Sequence, residues 1–406
     1  MSPAAHPLGP TFPLSIFTRL ADPIRKQLLP IDAERAMKLA ERLTGLNDYG
    51  GGQIRQRLDE TIETVLRTDW NALGRFGVRY ILNWQLSNRL RIVELLKQRP
   101  DLAAIDIERP IVITGLFRTG TTYLHNVMAA DPRSRVGKMW EFAHPVGRKR
   151  DLLGDEKWRR WRGGHEVAMD DIMIPEQAEA HRVTVDAYEE DFFLLENDMA
   201  IMKLFIGFGS YDYAMRMLDW DMVEPYRWHQ RQLQILWAQR AADRWLLKCP
   251  WHLWNLAALL AVYPDAQVIQ THRGLVDTIG SQCSLSARIA CKFQRKLDLQ
   301  EVGAFWVEYS RLGIERGLAA RSAVPASQLY DVRLSDLRER PLEVVEDIYR
   351  RFGLPFDGAL AAKLGVRIAE EPTAQLGEHD YDIADYGLTE DQIQGTFARY
   401  RERFGV

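Results

Sequence analysis

The chain has 406 residues, with 53 Lys and Arg against 56 Asp and Glu, a formal charge of −3. That length suits one large α/β domain with added helices, or two domains. The near-even charge gives no support to a nucleic-acid binder but leaves room for a local basic pocket. Hydrophobic residues make up 46 %, a globular composition. No apolar run reaches the ~18 residues of a membrane span. The Pro-rich start MSPAAHPLGPTFPLSIFTRL lacks a signal-peptide pattern. Cys249, Cys283 and Cys291 form no CxxC pair, which fits a reduced chain. The expectation is a cytoplasmic globular protein with no membrane span.

Residues from about 31 to 100 read as helical, with a break at Gly50-Gly51-Gly52. Ile111 to Thr114 is a β-branched strand, Gly115 opens a turn, and Tyr123 to Met128 reads as a helix. Residues 151–244 form an aromatic-rich helical insertion. Trp245 to Leu247 is a short strand, followed by a helix over 252–262. Ala266 to Gln270 is a strand before a helix over 276–289, and Gln328 to Val332 is a strand before a helix from Pro341 to Phe352. Strands alternating with helices predict a doubly wound parallel sheet of P-loop-like α/β type. The expected organisation is an N-terminal helical region over 1–105 packed on an α/β domain over 106–406, with the insertion as a cap.

The segment Gly115-Leu-Phe-Arg118-Thr119-Gly120-Thr121-Thr122 carries most of the chemistry. A glycine-rich turn between strand and helix aims backbone N–H groups and a helix N-terminus at an anion. The spacing is GxxxxG, but Thr121 stands where an ATP or GTP hydrolase has Lys, and the cation is Arg118 inside the loop. That disfavours a small-molecule kinase and any metal requirement while keeping a phosphate or sulfate ligand; a turn that binds nothing is the bland alternative. Thr271-His272-Arg273 ends a later strand, and Ser281 lies eight residues on. An Arg at a strand end and a Ser two helical turns along can reach one phosphate. Lys248 also ends a strand, where a lysine can meet a ligand in the crevice or simply snorkel to the surface.

These motifs resemble the sulfotransferases that use 3′-phosphoadenosine 5′-phosphosulfate (PAPS). GLFRTGTTYLH is similar to their 5′-phosphosulfate loop, and VIQTHRGLVDTIGS to their 3′-phosphate segment. WLLKCPWHLWNLAALLAVYPDAQVIQTHR and EHDYDIADYGLTEDQI resemble a bacterial branch. The resemblance implies a PAPS-dependent transferase, with adenosine 3′,5′-bisphosphate as product and a small-molecule hydroxyl as acceptor. It implies cofactor contacts from Arg118, Thr119, Gly120, Thr121, Thr122, Arg273 and Ser281. Arg118 stands where cytosolic animal enzymes have Lys, and their C-terminal Arg-Lys-Gly motif is not evident, which leaves Arg288 or Lys292 as substitutes. A catalytically silent nucleotide-binding protein is the reading from another class.

Sulfuryl transfer needs cations at the leaving oxygen and a base at the acceptor hydroxyl. Arg118 and Lys248 are the cations. Three residues are candidates for the base. Glu141 resembles in position the glutamate of the tyrosylprotein branch. Glu190 lies in Glu189-Glu190-Asp191 beside Phe192-Phe193-Leu194-Leu195, where partial desolvation suits proton uptake. His252 follows Lys248 by four residues; His181 reads as structural. Asp170, Asp171 and Glu176 lack metal-ligand spacing and read as surface acids. The insertion rings Trp158, Trp161, Tyr188, Phe192, Phe193, Phe205, Phe208, Tyr211, Tyr213, Trp220 and Trp228 are either core or the walls of a pocket for an apolar or aromatic acceptor.

Overall fold

The computed structural model describes residues 12–174, 183–371 and 381–406. Its centre is one all-parallel sheet in the order β2-β3-β1-β4-β5. The strands are β1 (Ile111–Gly115), β2 (Ser134–Arg135), β3 (Arg244–Lys248), β4 (Gln267–His272) and β5 (Leu329–Arg333). Every residue of β1 is buried, as expected where helices cover both faces of a parallel sheet. Side chains alternate between two cores: Val112 packs on one face, Ile111 and Ile113 on the other.

Strand β1 lies between β3 and β4, with Ile113 in register with both Lys248 and Ile269. The chain first winds to the β3 side and then crosses to β4. This reversal opens a crevice beyond the carboxyl ends of β1, β3 and β4. Register therefore brings the loop after β1, Lys248 at the end of β3 and Arg273 after β4 to one place.

Three helices over residues 33–98 precede the sheet: α1 (Ala33–Thr44), α2 (Ile54–Val65) and α3 (Ala72–Gln98). Asp32 caps α1 by accepting from the Arg35 N–H at 2.9 Å, and Asn71 caps α3 through the Gly74 N–H at 2.9 Å. Helix α3 is buried even at polar positions. Gln85 donates to Glu196 at 2.9 Å, and Arg89 to Asp198 at 2.8 Å. Trp84 donates its indole N–H to the Ala143 carbonyl at 2.9 Å. These bonds tie α3 to the segment between β2 and β3. That segment contains α5 (Glu156–Met173), α6 (Phe192–Glu196) and α7 (Val223–Gln239), while α4 (Thr121–Met128) follows β1.

The other predicted elements shift slightly. The helix expected over 252–262 is a 3-10 turn, Pro250–Leu253, and then an α-helix, Leu256–Val262; Asn255 leaves helical geometry between them, at φ −119° and ψ 20°. Helix α8 (Leu275–Ala290) matches the expected span within a residue at each end, and α10 (Pro341–Phe352) matches it throughout. Helix α9 (Leu299–Arg321) was not anticipated, although its buried Val302, Phe305, Trp306 and Tyr309 recur at helical spacing. Strand β2 is only two residues long and gave no pattern to read. Among the described residues no helix is long and apolar enough to cross a membrane.

Candidate active site

The loop after β1 is held in a conformation that few residues adopt. Arg118 has φ 68° and Gly120 φ 91°. A non-glycine residue with positive φ costs free energy and persists where the surroundings enforce it. At Gly115 an added Cβ would lie 2.6 Å from Thr271 Oγ1, so β1 and β4 can approach only with glycine there. Thr119 Oγ donates to the Leu116 carbonyl at 2.6 Å and lies 2.6 Å from Thr271 Oγ1. Thr119 thus fastens the loop to β4 from beneath. Gly120 supplies no side-chain cap to α4, so the first N–H groups of that helix remain available to an anion.

Cationic side chains converge on this loop. Arg118 Nε donates to Ser281 Oγ at 3.1 Å. Arg273 Nη1 donates to the Arg118 carbonyl at 3.2 Å, and its Nη2 lies 3.6 Å from Asp277. Burial, and then the charge of Arg273, lowers the proton affinity of Arg118. Two guanidinium groups crowded this way form a site of positive potential suited to an anion. The cation missing at position 121 comes from the neighbouring strand: Lys248 Nζ donates to Thr122 Oγ1 at 3.3 Å and to Glu190 Oε1 at 2.7 Å. The Lys248 side chain is 1 % exposed and that of Glu190 18 %.

Several of these groups border a crevice of about 270 Å³. Arg118, Gly120, Thr121, Thr122, Glu190 and Arg273 line it. The remainder is largely apolar, walled by Tyr80, Trp84, Met169, Phe192, Phe193 and Phe208 among others. Of the insertion rings, only Phe192, Phe193 and Phe208 line this crevice; Phe205 and Tyr213 are fully buried in the core, and Trp161 is exposed. Arg288 and Lys292 do not line it, and His181 and Glu176 lie outside the described residues. Tyr381 was not anticipated. It donates to the Asp277 carbonyl at 3.0 Å and packs its ring on Gly280, beside Ser281.

The structure separates the three candidate bases. Glu190 faces the crevice. Glu141 does not. Its carboxylate accepts from Arg135 Nη1 at 3.0 Å and Nη2 at 2.6 Å, and from the Lys138 N–H at 2.9 Å. Burial alone would raise this carboxyl, but Arg135 outweighs burial and holds it below the usual range. This buried bidentate pair engages the carboxylate away from the crevice lining. His252 is also withdrawn from the crevice. Its Nε2 lies 2.8 Å from Asp191 and its Nδ1 2.7 Å from the Tyr226 hydroxyl.

Asp191 anchors a network that sequence reading did not separate from Glu190. Its Oδ2 is 2.8 Å from both His229 Nε2 and His252 Nε2, and its Oδ1 accepts from the Lys248 N–H at 3.0 Å. His229 Nδ1 in turn meets the Tyr263 hydroxyl at 2.8 Å. Two imidazole N–H donors, each backed by a tyrosine hydroxyl, satisfy the carboxylate. Burial pushes Asp191 up, but His252 and His229 more than offset it and hold it well below the usual carboxylate range. The network therefore fixes the backbone at the end of β3, from which Lys248 projects. Among the described residues no group of three or more His, Cys, Asp or Glu is arranged to hold a metal ion.

The sulfotransferase family profile matches residues 110–358, more than half of the chain. The chain belongs to the sulfotransferase family. It is similar to the solved sulfotransferase STF1 from Mycobacterium tuberculosis H37Rv at 31 % identity, over 90 % of this chain and 98 % of that one, with a TM-score of 0.76. It is also similar to sulfotransferase STF9 from Mycobacterium avium at 25 % identity, over 93 % of this chain and 97 % of that one, with a TM-score of 0.80. No curated protein sequence matches it significantly. This sulfotransferase is a transferase enzyme whose strand-end crevice joins the anion loop to an apolar arm.

Proposed function

We propose that this sulfotransferase moves a sulfuryl group from PAPS to the hydroxyl of a small apolar or aromatic acceptor. The supporting observation is the position of Lys248 Nζ, bonded at once to Thr122 of the anion loop and to Glu190 in the crevice. Anion-binding and proton-accepting groups thus meet at one point. The residues also suit a donor with two phosphate ends. Arg118, the loop amides and Thr121–Thr122 suit the 5′ end, while Arg273, Ser281 and the neighbouring Tyr381 suit the 3′ end.

Bound there, the donor supplies an electrophilic sulfur and a phosphate leaving group. Glu190 accepts the hydroxyl proton as the acceptor oxygen bonds to sulfur. Lys248 and Arg118 face the charge that builds on the departing phosphate oxygen as the old sulfur–oxygen bond breaks. The apolar arm excludes water, which would otherwise compete as acceptor. Ser281 and the Asp191 network keep Arg118 and Lys248 in place.

Calorimetry with adenosine 3′,5′-bisphosphate tests the donor. We expect saturable one-site binding that weakens as salt rises. Absence of binding at low salt overturns the donor assignment. Transfer of labelled sulfate from PAPS to members of a phenol and alcohol panel tests the reaction; bisphosphate binding without transfer to any of them favours a silent nucleotide-binding protein.

A further inference from the structure

Three of the carboxylates that line the crevice, Glu166, Asp170 and Glu189, have no use in the mechanism above. Asp170, on α5, lines the arm together with Met169, Met173 and Ile174. Its backbone carbonyl accepts from the Ile174 N–H at 2.7 Å, but among the described residues its carboxylate takes part in no hydrogen bond and no ion pair. It is half-buried rather than the surface acid expected from sequence. Its charged neighbours in the arm are compensated. Glu166 is held by the Tyr80 hydroxyl and by Arg162 Nη2 at 3.1 Å. Lys203 pairs with Glu196 at 3.0 Å. An ionised group in an apolar wall costs free energy unless a partner arrives.

Lys203 shows what kind of partner fits. Its ammonium lies 3.7 Å from the Phe193 ring centroid and 4.2 Å from that of Trp84. It lines the same arm as Asp170 but makes no bond to it. Its one hydrogen bond to a side chain goes to Glu196, so the ammonium keeps donors to spare. A ligand cation placed here meets Lys203, and a ligand anion meets Asp170. An uncharged group that donates to the carboxylate and accepts from the ammonium satisfies both. Burial pushes the Asp170 carboxyl up to about 7, and Lys203 is the attractive charge acting on it.

We infer that the acceptor is two-ended: a reacting hydroxyl at Glu190, an apolar body along Trp84, Phe192 and Phe193, and a second, uncharged hydroxyl held between Asp170 and Lys203. This deepens the proposed function and rests on it only for the identity of the reacting end. Asp170 is then a residue that sets acceptor specificity rather than one that carries out the transfer.

The test compares 4-butylphenol with 4-(4-hydroxybutyl)phenol, which differ only by the terminal hydroxyl. Binding to the full chain saturated with adenosine 3′,5′-bisphosphate, or to the free chain if it binds no bisphosphate, is followed by calorimetry. A hydrogen bond to a charged group predicts about tenfold tighter binding of the diol by the wild type. Asp170→Leu cuts that preference to what Lys203 alone provides and leaves butylphenol binding the same or tighter. Asp170→Asn, which keeps an acceptor oxygen, retains part of it. Equal affinity of the wild type for the two compounds, no binding of the diol, or a preference undiminished in Asp170→Leu overturns the inference. The readout needs no sulfuryl transfer, so failure of the donor assignment shows separately, as lost bisphosphate binding with the diol preference intact.

Discussion

Glu141→Gln and Glu190→Gln have opposite expected effects, and the magnitudes follow from their surroundings. Removing the Glu141 charge leaves Arg135, 1 % exposed, without its buried partner. Breaking a buried ion pair costs about 3 to 5 kcal/mol. The amide that replaces the Glu141 carboxylate still offers an oxygen to the Lys138 N–H, so the lower figure, about 3 kcal/mol, applies. Unfolding entropy near 2.1 cal/mol/K per residue over a chain this long converts this to a fall in Tm of about 4 °C. Turnover per folded molecule stays within about twofold of the wild type. Glu190→Gln keeps its hydrogen bond to Lys248, and Glu190 is itself 18 % exposed, so its fall in Tm is smaller than that of Glu141→Gln. It loses the proton acceptor, and kcat falls about 10²- to 10⁴-fold. Calorimetric melts and initial rates with labelled PAPS measure both. If Glu141→Gln loses turnover at unchanged Tm while Glu190→Gln stays active, the assignment of roles is reversed. The ion pair also predicts a pH dependence. The folded Glu141 carboxyl lies below its ordinary value, so its stabilisation is complete above the unfolded value of about 4.3 and is lost as pH falls through the folded one. The Tm gap between wild type and Glu141→Gln therefore closes below about pH 4.

Ser281→Ala removes the hydroxyl that orients Arg118 Nε; one hydrogen bond of about 1 kcal/mol predicts bisphosphate binding about fivefold weaker by calorimetry. Asp191→Asn turns an NH2 group toward buried donors that needed an acceptor; urea unfolding is expected to show a loss of about 3 to 5 kcal/mol, with a lower kcat in the folded fraction as Lys248 shifts. Asp170→Asn tests the raised carboxyl directly. Burial raises Asp170, Lys203 opposes that, and Glu166, Asp171 and Glu189 add to it. An acid raised in the folded state loses stability as pH climbs from its unfolded value of about 3.9 to its folded one. The Asn variant should therefore gain Tm relative to wild type between about pH 4 and 7 and hold that advantage above. A gap that does not change with pH would mean that Asp170 titrates as an ordinary carboxylate.

The parallel core was legible because β1, β3 and β4 are short apolar runs set between helical patterns and turns. The loop was legible because glycine spacing and Arg118 sit in one continuous segment. The base was not. Glu141 and Glu190 look alike in one dimension, and only Arg135, brought alongside by the edge strand β2, sets them apart. His252 shows the same limit: four residues from Lys248, it turns into the interior because Asp191 and Tyr226, both distant in sequence, satisfy its ring. Helical geometry hid Asp170 as well. An acid on α5 reads as solvated, and only the fold brings it to a crevice that Trp84 of α3 and Phe192 and Phe193 of α6 also line.

The walls of the crevice have separate origins. Arg118, Lys248 and Arg273 hang from adjacent strands and lie within residues 110–358, which the family profile recognises. Tyr80 and Trp84 belong to α3, ahead of that span, while Asp170 and Lys203 come from the long excursion between β2 and β3. On the proposed function, substitutions in these pieces retune which molecule is sulfated without disturbing the strand ends. A lineage can thus diversify its products while inheriting one engine, and hybrid enzymes that exchange residues 72–98, 156–174 and 192–208 as a set, leaving Glu190 and Asp191 in place, offer a route to moving acceptor preference between relatives.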